Sequence, residues 1–300
     1  MYRLRQMVLV MGMNLRRWRR NPQIWLAFGL GFVICFLLSN KVLTFSQEHG
    51  TVLQIFEPFI WTFGDATSIL ILSLCLLLLF ADVPNVGNEV PFLLVRTSRL
   101  VWLMGQILYV IVATLLFVCF ILISTMLLAG VQSYTANMWS NTAAILGYSN
   151  IGTQIAVPAF VKVMELTDPR RCALHIFGLM LGYSLLMSSL ILYLNLWKGK
   201  AGMVGGMIFS GFGAVMNPQI LSEWFQIPAE RIRIANIIFG WISPLNHGTY
   251  YMHNFGYDNL PRLWVSYVFF GVGSLVLFAL SLWKIRRYAF HFTGTKEEMN

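Results

Sequence analysis

Long apolar runs recur along the chain, and they restrict its fold more than any other feature. Several approach or exceed the roughly 20 residues that a helix needs to cross a hydrocarbon core about 30 Å thick. Of the 300 residues, 57% are hydrophobic and only 11% are charged, whereas about a quarter of the residues of a soluble domain carry charge. The sequence therefore predicts an all-α polytopic membrane protein.

Six runs predict membrane spans within one domain over residues 23–283. These predicted spans are residues 23–39, 59–81, 103–129, 173–197, 201–216 and 263–283. The first and fifth are short for a full crossing, although local membrane thinning and mobile Lys and Arg stems can absorb such a mismatch. The segments between them are a cytoplasmic loop at 82–103 and outer segments at 40–58, 131–172 and 217–262, and a cytoplasmic tail follows at 284–300.

One outer segment contains an apolar stretch that is too short to cross. Ile232–Ile242 is followed by Ser243 and Pro244, and a partial helix can dip into a bilayer where protein or a water-filled cavity covers its ends. The sequence predicts a re-entrant piece before the last span.

Charge predicts the orientation of the spans. With the N-terminus inside, about two thirds of the 21 lysines and arginines fall in predicted cytoplasmic segments, as the positive-inside bias requires. Both termini are then cytoplasmic. The net charge of +9 could also indicate nucleic acid as a partner. Because the basic residues cluster at the ends of apolar segments, we expect membrane lipids and not nucleic acid as partners.

Residues 1–22 combine basic and apolar side chains before Asn21 and Pro22 separate them from the first span. This pattern predicts an amphipathic helix on the inner leaflet. A secretory signal peptide is the competing interpretation, but the long basic stretch before the apolar run and the lack of a small-residue cleavage site after it disfavour that reading.

Motifs for catalysis are missing from the sequence. It contains no GxxxxGK[ST] loop for nucleotide phosphates, no HExxH and no GxSxG. Its four cysteines show neither CxxC nor metal-ligand spacing. We therefore expect a non-catalytic chain without a metal or cofactor of its own, and any ATP hydrolysis must come from another polypeptide.

Asp65 is the one acid well inside an apolar stretch, and an ionisable residue there is by default a candidate for a translocation path. Alternatively, it lies at a helix N-terminus near the outer interface, where negative charge is favoured. A metal site is one interpretation of His247 and His253, with Glu223 and Glu230 upstream. The alternative is that the two histidines are polar anchors at the membrane interface.

A cluster of charged residues precedes the fourth span. It is read as the hydrated end of that span with local ion pairs, or alternatively as an active site. Its members are Glu165, Asp168, Arg170, Arg171 and His175.

Small residues recur in the fourth and fifth spans, at Gly178, Gly182, Gly202 and Gly206. They allow helix backbones to approach closely in lipid. The sequence leaves open whether they form a seam that slides during transport or a static packing surface.

The interruption between the second and third spans carries a resemblance. In NEVPFLLVRTSRLVWLMGQ, residues 88–106, an acid is followed by an apolar stretch, by RTSR, and by Gly105 and Gln106 at the start of a span. This order resembles the cytoplasmic loop of ABC-2 type transporter permeases, although Arg96 replaces the Pro of their Thr-Pro element, offset by one. The stretch Ser243-Pro244-Leu245-Asn246 is similar to their Pro-Leu element before the sixth span.

The resemblance implies the membrane subunit of a bacterial ABC exporter in the cytoplasmic membrane. Two permease chains, identical or homologous, would each dock on a cytoplasmic ATPase that holds ATP and Mg. In this chain, the residues that would contact the ATPase are Glu89, Arg96, Thr97 and Arg99.

The substrate class and two rival functions remain as expectations. Without strong charge along the spans, an amphipathic or apolar substrate such as a peptide, lipid or drug is expected rather than a bare ion. An ion-coupled secondary transporter should show internal repeats, which the sequence lacks. A lipid-modifying membrane enzyme would need acids and a histidine that converge at one depth.

Overall fold

The computed structural model describes residues 2–87, 90–149, 151–155, 157, 160–199, 201–215, 218–226, 228, 232–256 and 259–288. The chain is all-α, as predicted. Its elements in chain order are α1 (Tyr2–Arg17), α2 (Pro22–Glu48), β1 (Leu53–Gln54), α3 (Glu57–Phe63), α4 (Ala66–Phe80), α5 (Val90–Arg96), α6 (Arg99–Ala129), β2 (Ser133–Tyr134), α7 (Asn141–Tyr148), α8 (Ile151–Gln154), α9 (Val161–Leu166), α10 (Pro169–Lys198), α11 (Ala201–Val215), α12 (Pro218–Trp224), α13 (Ile232–Ile242), α14 (Pro244–Gly248) and α15 (Leu263–Lys284). β1 and β2 pair in parallel.

Among the described residues, four helices are long and apolar enough to cross a membrane: α2, α6, α10 and α15. A fifth span arises if α3 and α4, which meet at 88°, form one broken crossing. α11 has 15 residues, and at 1.5 Å per residue it reaches about 22 Å, short of the roughly 30 Å core. By length and composition the chain thus has four or five candidate membrane spans, and the sixth stays a prediction.

Two helices differ in extent from the predicted spans. α2 continues through Glu48, well past residue 39, because an apolar run ends where composition changes, whereas a helix ends where its backbone hydrogen bonds end. The predicted second span is broken after Phe63, because Asp65 takes an extended conformation and caps α4. Hydropathy averages over such a break and does not detect it.

Polar caps explain where several helices begin. Asn21 accepts a hydrogen bond from the backbone N–H of Gln23 at 3.0 Å, and Pro22 occupies the first turn of α2. Ser98 caps α6 and Ser140 caps α7 in the same manner. A side-chain oxygen at this position satisfies one of the N–H groups that a helix start leaves unpaired, so α2, α6 and α7 each start at a defined residue.

α10 lies at the centre of the bundle, where it packs against α3, α4, α6, α11, α14 and α15. It packs closely on α15 at Gly182, where a Cβ atom would lie 2.8 Å from the Phe270 ring. Since lipid removes the hydrophobic drive between helices, such contacts stabilise the bundle mainly through van der Waals packing.

The helix ends gather at two ends of the bundle. The basic end holds α1, the segment after α4, α5, the start of α6 and the C-termini of α10 and α15, and hydrogen bonds join these parts of the chain. Asn195 donates to the carbonyl oxygen of Val83 at 2.6 Å, and the guanidinium of Arg99 donates to that of Tyr288 at 3.2 Å. The loops between the other helix ends meet at the opposite end, as the 2.7 Å contact between the Thr51 and Thr142 hydroxyls shows.

Candidate functional site

α5 is a short helix held between α4 and α6 at the basic end. Val90 at its start is 1% exposed, whereas Phe92 and Val95 are 77% and 86% exposed. Residues three apart on a helix lie on the same side, so these two form one outward apolar face. At the other end, Thr97 donates its hydroxyl to the carbonyl of Leu93 at 2.8 Å, which closes the last turn of α5. α5 therefore presents an outward apolar face, with Val90 buried at its start and Thr97 closing its last turn.

The structure brings three of the four residues predicted to contact an ATPase to one corner of the basic end. The carbonyl of Arg96 accepts a hydrogen bond from Gln6 on α1 at 3.2 Å, and Arg99 reaches Tyr288 beyond α15. Thr97 uses its hydroxyl within α5. Glu89 lies outside the described residues. Arg96 and Arg99 thus tie α5 and α6 to their neighbours in the bundle.

α1 packs tightly on the first turns of α6. A Cβ atom at Gly105 would lie 2.6 Å from the Cβ of Val10, so only glycine permits this approach. Beside it, the amide of Asn14 donates to the side chain of Gln106 at 2.9 Å. The Gly105-Gln106 pair in the sequence therefore forms the contact on which α1 packs against α6.

Asn195 is a site residue that the sequence analysis missed. Its amide nitrogen donates to the carbonyl of Val83, and its carbonyl oxygen accepts from the backbone N–H of Gly202 at 2.8 Å. It therefore joins the loop after α4 to the turn between α10 and α11. A lone amide in the apolar run LYLNLW is the signal that could have identified it.

Asp65 caps α4 at the opposite end of the bundle. Its carboxylate accepts from the backbone N–H of Thr67 at 3.0 Å, and the side chain is partly exposed. This geometry agrees with the helix N-terminus interpretation, and a role of Asp65 in a translocation path stays a prediction.

Glu57 is fully buried, and the sequence analysis missed it. One carboxylate oxygen accepts from the backbone N–H of Ser140 at 2.8 Å, and the other accepts from the Ser140 hydroxyl at 2.6 Å and from the N–H of Gln54 at 3.3 Å. The carboxylate therefore fastens the loop before α7 to the start of α3. An acid directly before a proline and an apolar run was its only signal in the sequence.

His247 and His253 are buried against α15. Nδ1 of His247 lies 2.7 Å and Nε2 of His253 lies 2.8 Å from the hydroxyl oxygen of Ser266. Burial lowers the pKa of both rings, and that of His253 falls to about 4. Glu223 is exposed, Glu230 lies outside the described residues, and no group of three potential metal ligands occurs in the described part of the chain.

The charged cluster before α10 forms local contacts. Arg171 lies 3.7 Å from Asp168 in an exposed ion pair, and Arg170 donates to the carbonyl of Thr135 at 2.8 Å. Such exposed pairs contribute little to stability. The arrangement agrees with a hydrated helix end and local ion pairing.

Each of the four predicted packing glycines faces a neighbouring side chain or backbone. A Cβ atom would lie 3.1 Å from Tyr267 at Gly178 and 2.8 Å from Phe270 at Gly182, both on α15. Gly202 faces the backbone of Ile191, and Gly206 faces Leu77 on α4. These positions are helix contacts, and whether the helices slide there stays open.

In comparisons with known proteins, no family model, curated protein or solved structure matches the chain.

Proposed function

We propose that the chain is the permease subunit of an ATP-driven exporter of the ABC-2 type, coupled to a separate ATPase through α5. The main support for this proposal is the exposed pair Phe92 and Val95 on α5, a short helix between the apolar helices α4 and α6. An exposed apolar face at the basic end fits a groove on a cytoplasmic partner, because such faces are typical of protein interaction sites.

The contacts around α5 suggest how motion would pass into the bundle. A push on α5 acts directly on α6 through Thr97 and Ser98, and α6 carries α1 with it through Gly105. Arg99 extends the connection to the end of α15. ATP binding would close the two motors, press on α5 and tilt α6 and α15, which opens a path for the substrate.

The proposed assembly has two permease chains, identical or homologous, and two ATPases that hold ATP and Mg. Both termini and α5 face the cytoplasm of a bacterium, and six crossings result if α11 completes the fifth. Among the described residues of α2, α6, α10 and α15, no buried Asp or Glu occurs, and the buried Glu57 at the start of α3 is hydrogen-bonded to Ser140 and Gln54. This supports an amphipathic or apolar substrate such as a peptide, lipid or drug.

The test compares one substitution at two ends of the bundle. Val95→Asp places a charge on the α5 face, and Val131→Asp does the same at a residue that is 98% exposed after α6 at the opposite end. The chain is affinity-purified from native membranes, and the ATP hydrolysis that copurifies is measured. Relative to the unsubstituted protein, we expect copurifying ATP hydrolysis to fall at least tenfold with Val95→Asp and to stay unchanged with Val131→Asp.

Two results would refute the proposal. One is equal ATP hydrolysis in both variants and the unsubstituted protein. The other is ion-gradient-driven transport of a solute by the purified chain without any ATPase, at the same rate in the unsubstituted protein and in Val95→Asp. That behaviour defines a secondary transporter.

A further inference from the structure

An open groove of about 680 Å³ lies at the basic end between α1, α6 and the end of α15. One part of its lining is charged, from Arg3 on α1 and Arg286 in the turn after α15. Another part is apolar, from Met104 on α6 and from Leu282 and Trp283 on α15. The groove therefore combines two cations with an apolar wall.

The charged rim suits an anion with several oxygen atoms. Guanidinium groups donate paired hydrogen bonds that match phosphate oxygens. Arg3 comes from α1 and Arg286 from the turn after α15, and no carboxylate lines the groove within the described part of the chain. Two cations with no carboxylate among the described lining residues make an acidic headgroup the complementary occupant.

The apolar wall suits acyl chains. Met104 lies five residues into α6, about 7 to 8 Å along the helix from its first residue. Met104 and Trp283 are both partly exposed to the groove. Since α6 and α15 are both candidate spans, this wall continues toward the hydrocarbon, and a tryptophan near a helix end is typical of the membrane interface.

We infer that this groove binds one anionic phospholipid, with its phosphate between Arg3 and Arg286 and its acyl chains along Met104 and Leu282. Basic pockets between helices at the cytoplasmic face are suited to acidic headgroups. The bound lipid would join α1 to α15 beside α6. The inference requires a membrane protein but not the exporter function, so the two can fail separately.

The test uses the purified full-length chain and native mass spectrometry with phosphatidylglycerol or phosphatidylcholine added at equal concentrations. We expect the unsubstituted protein to retain phosphatidylglycerol at least tenfold better. Arg3→Gln with Arg286→Gln should reduce that preference to below twofold. The matched control is Arg5→Gln with Arg19→Gln, which removes the same charge from exposed positions of the same end outside the groove lining and should keep the preference.

A third variant tests the apolar wall without a change of charge. Met104→Trp fills the groove and should also weaken phosphatidylglycerol retention, with circular dichroism to verify the helical fold. Equal loss in the Arg5/Arg19 control would overturn the inference, because it would indicate diffuse attraction. An unchanged lipid preference with dissociation of a dimer in the Arg3/Arg286 variant would also overturn it, in favour of a second copy of the chain as occupant.

Discussion

The imidazole rings of His247 and His253 meet at one hydroxyl group, that of Ser266, at 2.7 Å and 2.8 Å. The far nitrogen of His247 faces the carbonyl of Trp241, and that of His253 faces the carbonyls of Thr249 and Tyr250. A carbonyl only accepts, so each far nitrogen carries the proton of a neutral ring. Both near nitrogens are then acceptors, and the single Ser266 proton satisfies one of them.

This histidine pair predicts a loss of stability in acid. The pKa of His253 is about 4 in the folded protein against 6.5 for an exposed histidine, because burial disfavours the charged ring. Between these values the unfolded chain binds the extra proton, so stability falls by up to about 1.4 kcal/mol per pH unit as the pH drops from 6.5 to 4. Thermal unfolding in detergent measures this slope.

The variant His253→Gln isolates that contribution from other titrating groups. We expect the difference in unfolding free energy between the two proteins to shrink steadily from pH 6.5 to pH 4 and to stay constant above pH 7. A constant difference across the whole range would contradict the assignment of a neutral, buried His253.

Ser266→Ala should destabilise the protein by about 1–3 kcal/mol, because it removes the only proton shared between the two rings and leaves buried acceptors unpaired. The control is Ser274→Ala on the same helix, whose buried hydroxyl has no hydrogen-bond partner among the described residues. Ser274→Ala should be close to neutral. Chemical denaturation of both variants tests the prediction, which fails if they are equally stable.

Glu57→Ala should cost about 3 kcal/mol or more, since it leaves the N–H and hydroxyl of Ser140 and the N–H of Gln54 buried without their acceptor. Glu48→Ala removes an exposed carboxylate at the end of α2, and we expect a change within about 0.5 kcal/mol. Proteolysis in the segment 133–140 should increase only in the Glu57 variant. Equal protection in both would show that the carboxylate does not hold the loop.

Gly105→Ala should loosen α1 from α6, because the new Cβ atom would lie 2.6 Å from that of Val10. Overpacking of this kind costs about 1–3 kcal/mol. Gly12→Ala on α1 meets no described atom outside its own helix within 4 Å and serves as the control. Hydrogen exchange of the α1 amides should rise in the first variant alone. Equal exchange in both variants would exclude the Gly105–Val10 contact as the cause.

Asp65→Ala and Asp65→Ser separate the two interpretations of this acid. As a cap, Asp65 contributes about 1 kcal/mol, and serine retains most of it. We expect Asp65→Ala to lower stability and Asp65→Ser to leave both stability and transport unchanged. Transport lost in both variants at unchanged stability would instead place the carboxylate in the translocation path.

The sequence by itself determined the all-α class and the presence of several apolar helices long enough to cross a membrane, because helix formation by long apolar runs depends on local composition. It also placed Gly105 and Gln106 at the start of a span, without their contact to α1. It did not show where α2 ends or that the chain breaks at Asp65, since both depend on backbone geometry within a few residues, over which hydropathy is averaged.

Only the tertiary structure decided which polar side chains meet. Glu57 reaches Ser140 across 83 positions of sequence, and Asn195 reaches Val83 across 112. His247 and His253 come together because α14 and the turn after it pack against α15 at Ser266. Such pairs depend on which helix faces turn toward each other. Close packing at particular contacts, such as Gly182 against Phe270, determines which helix faces pack together, and local composition does not predict these contacts.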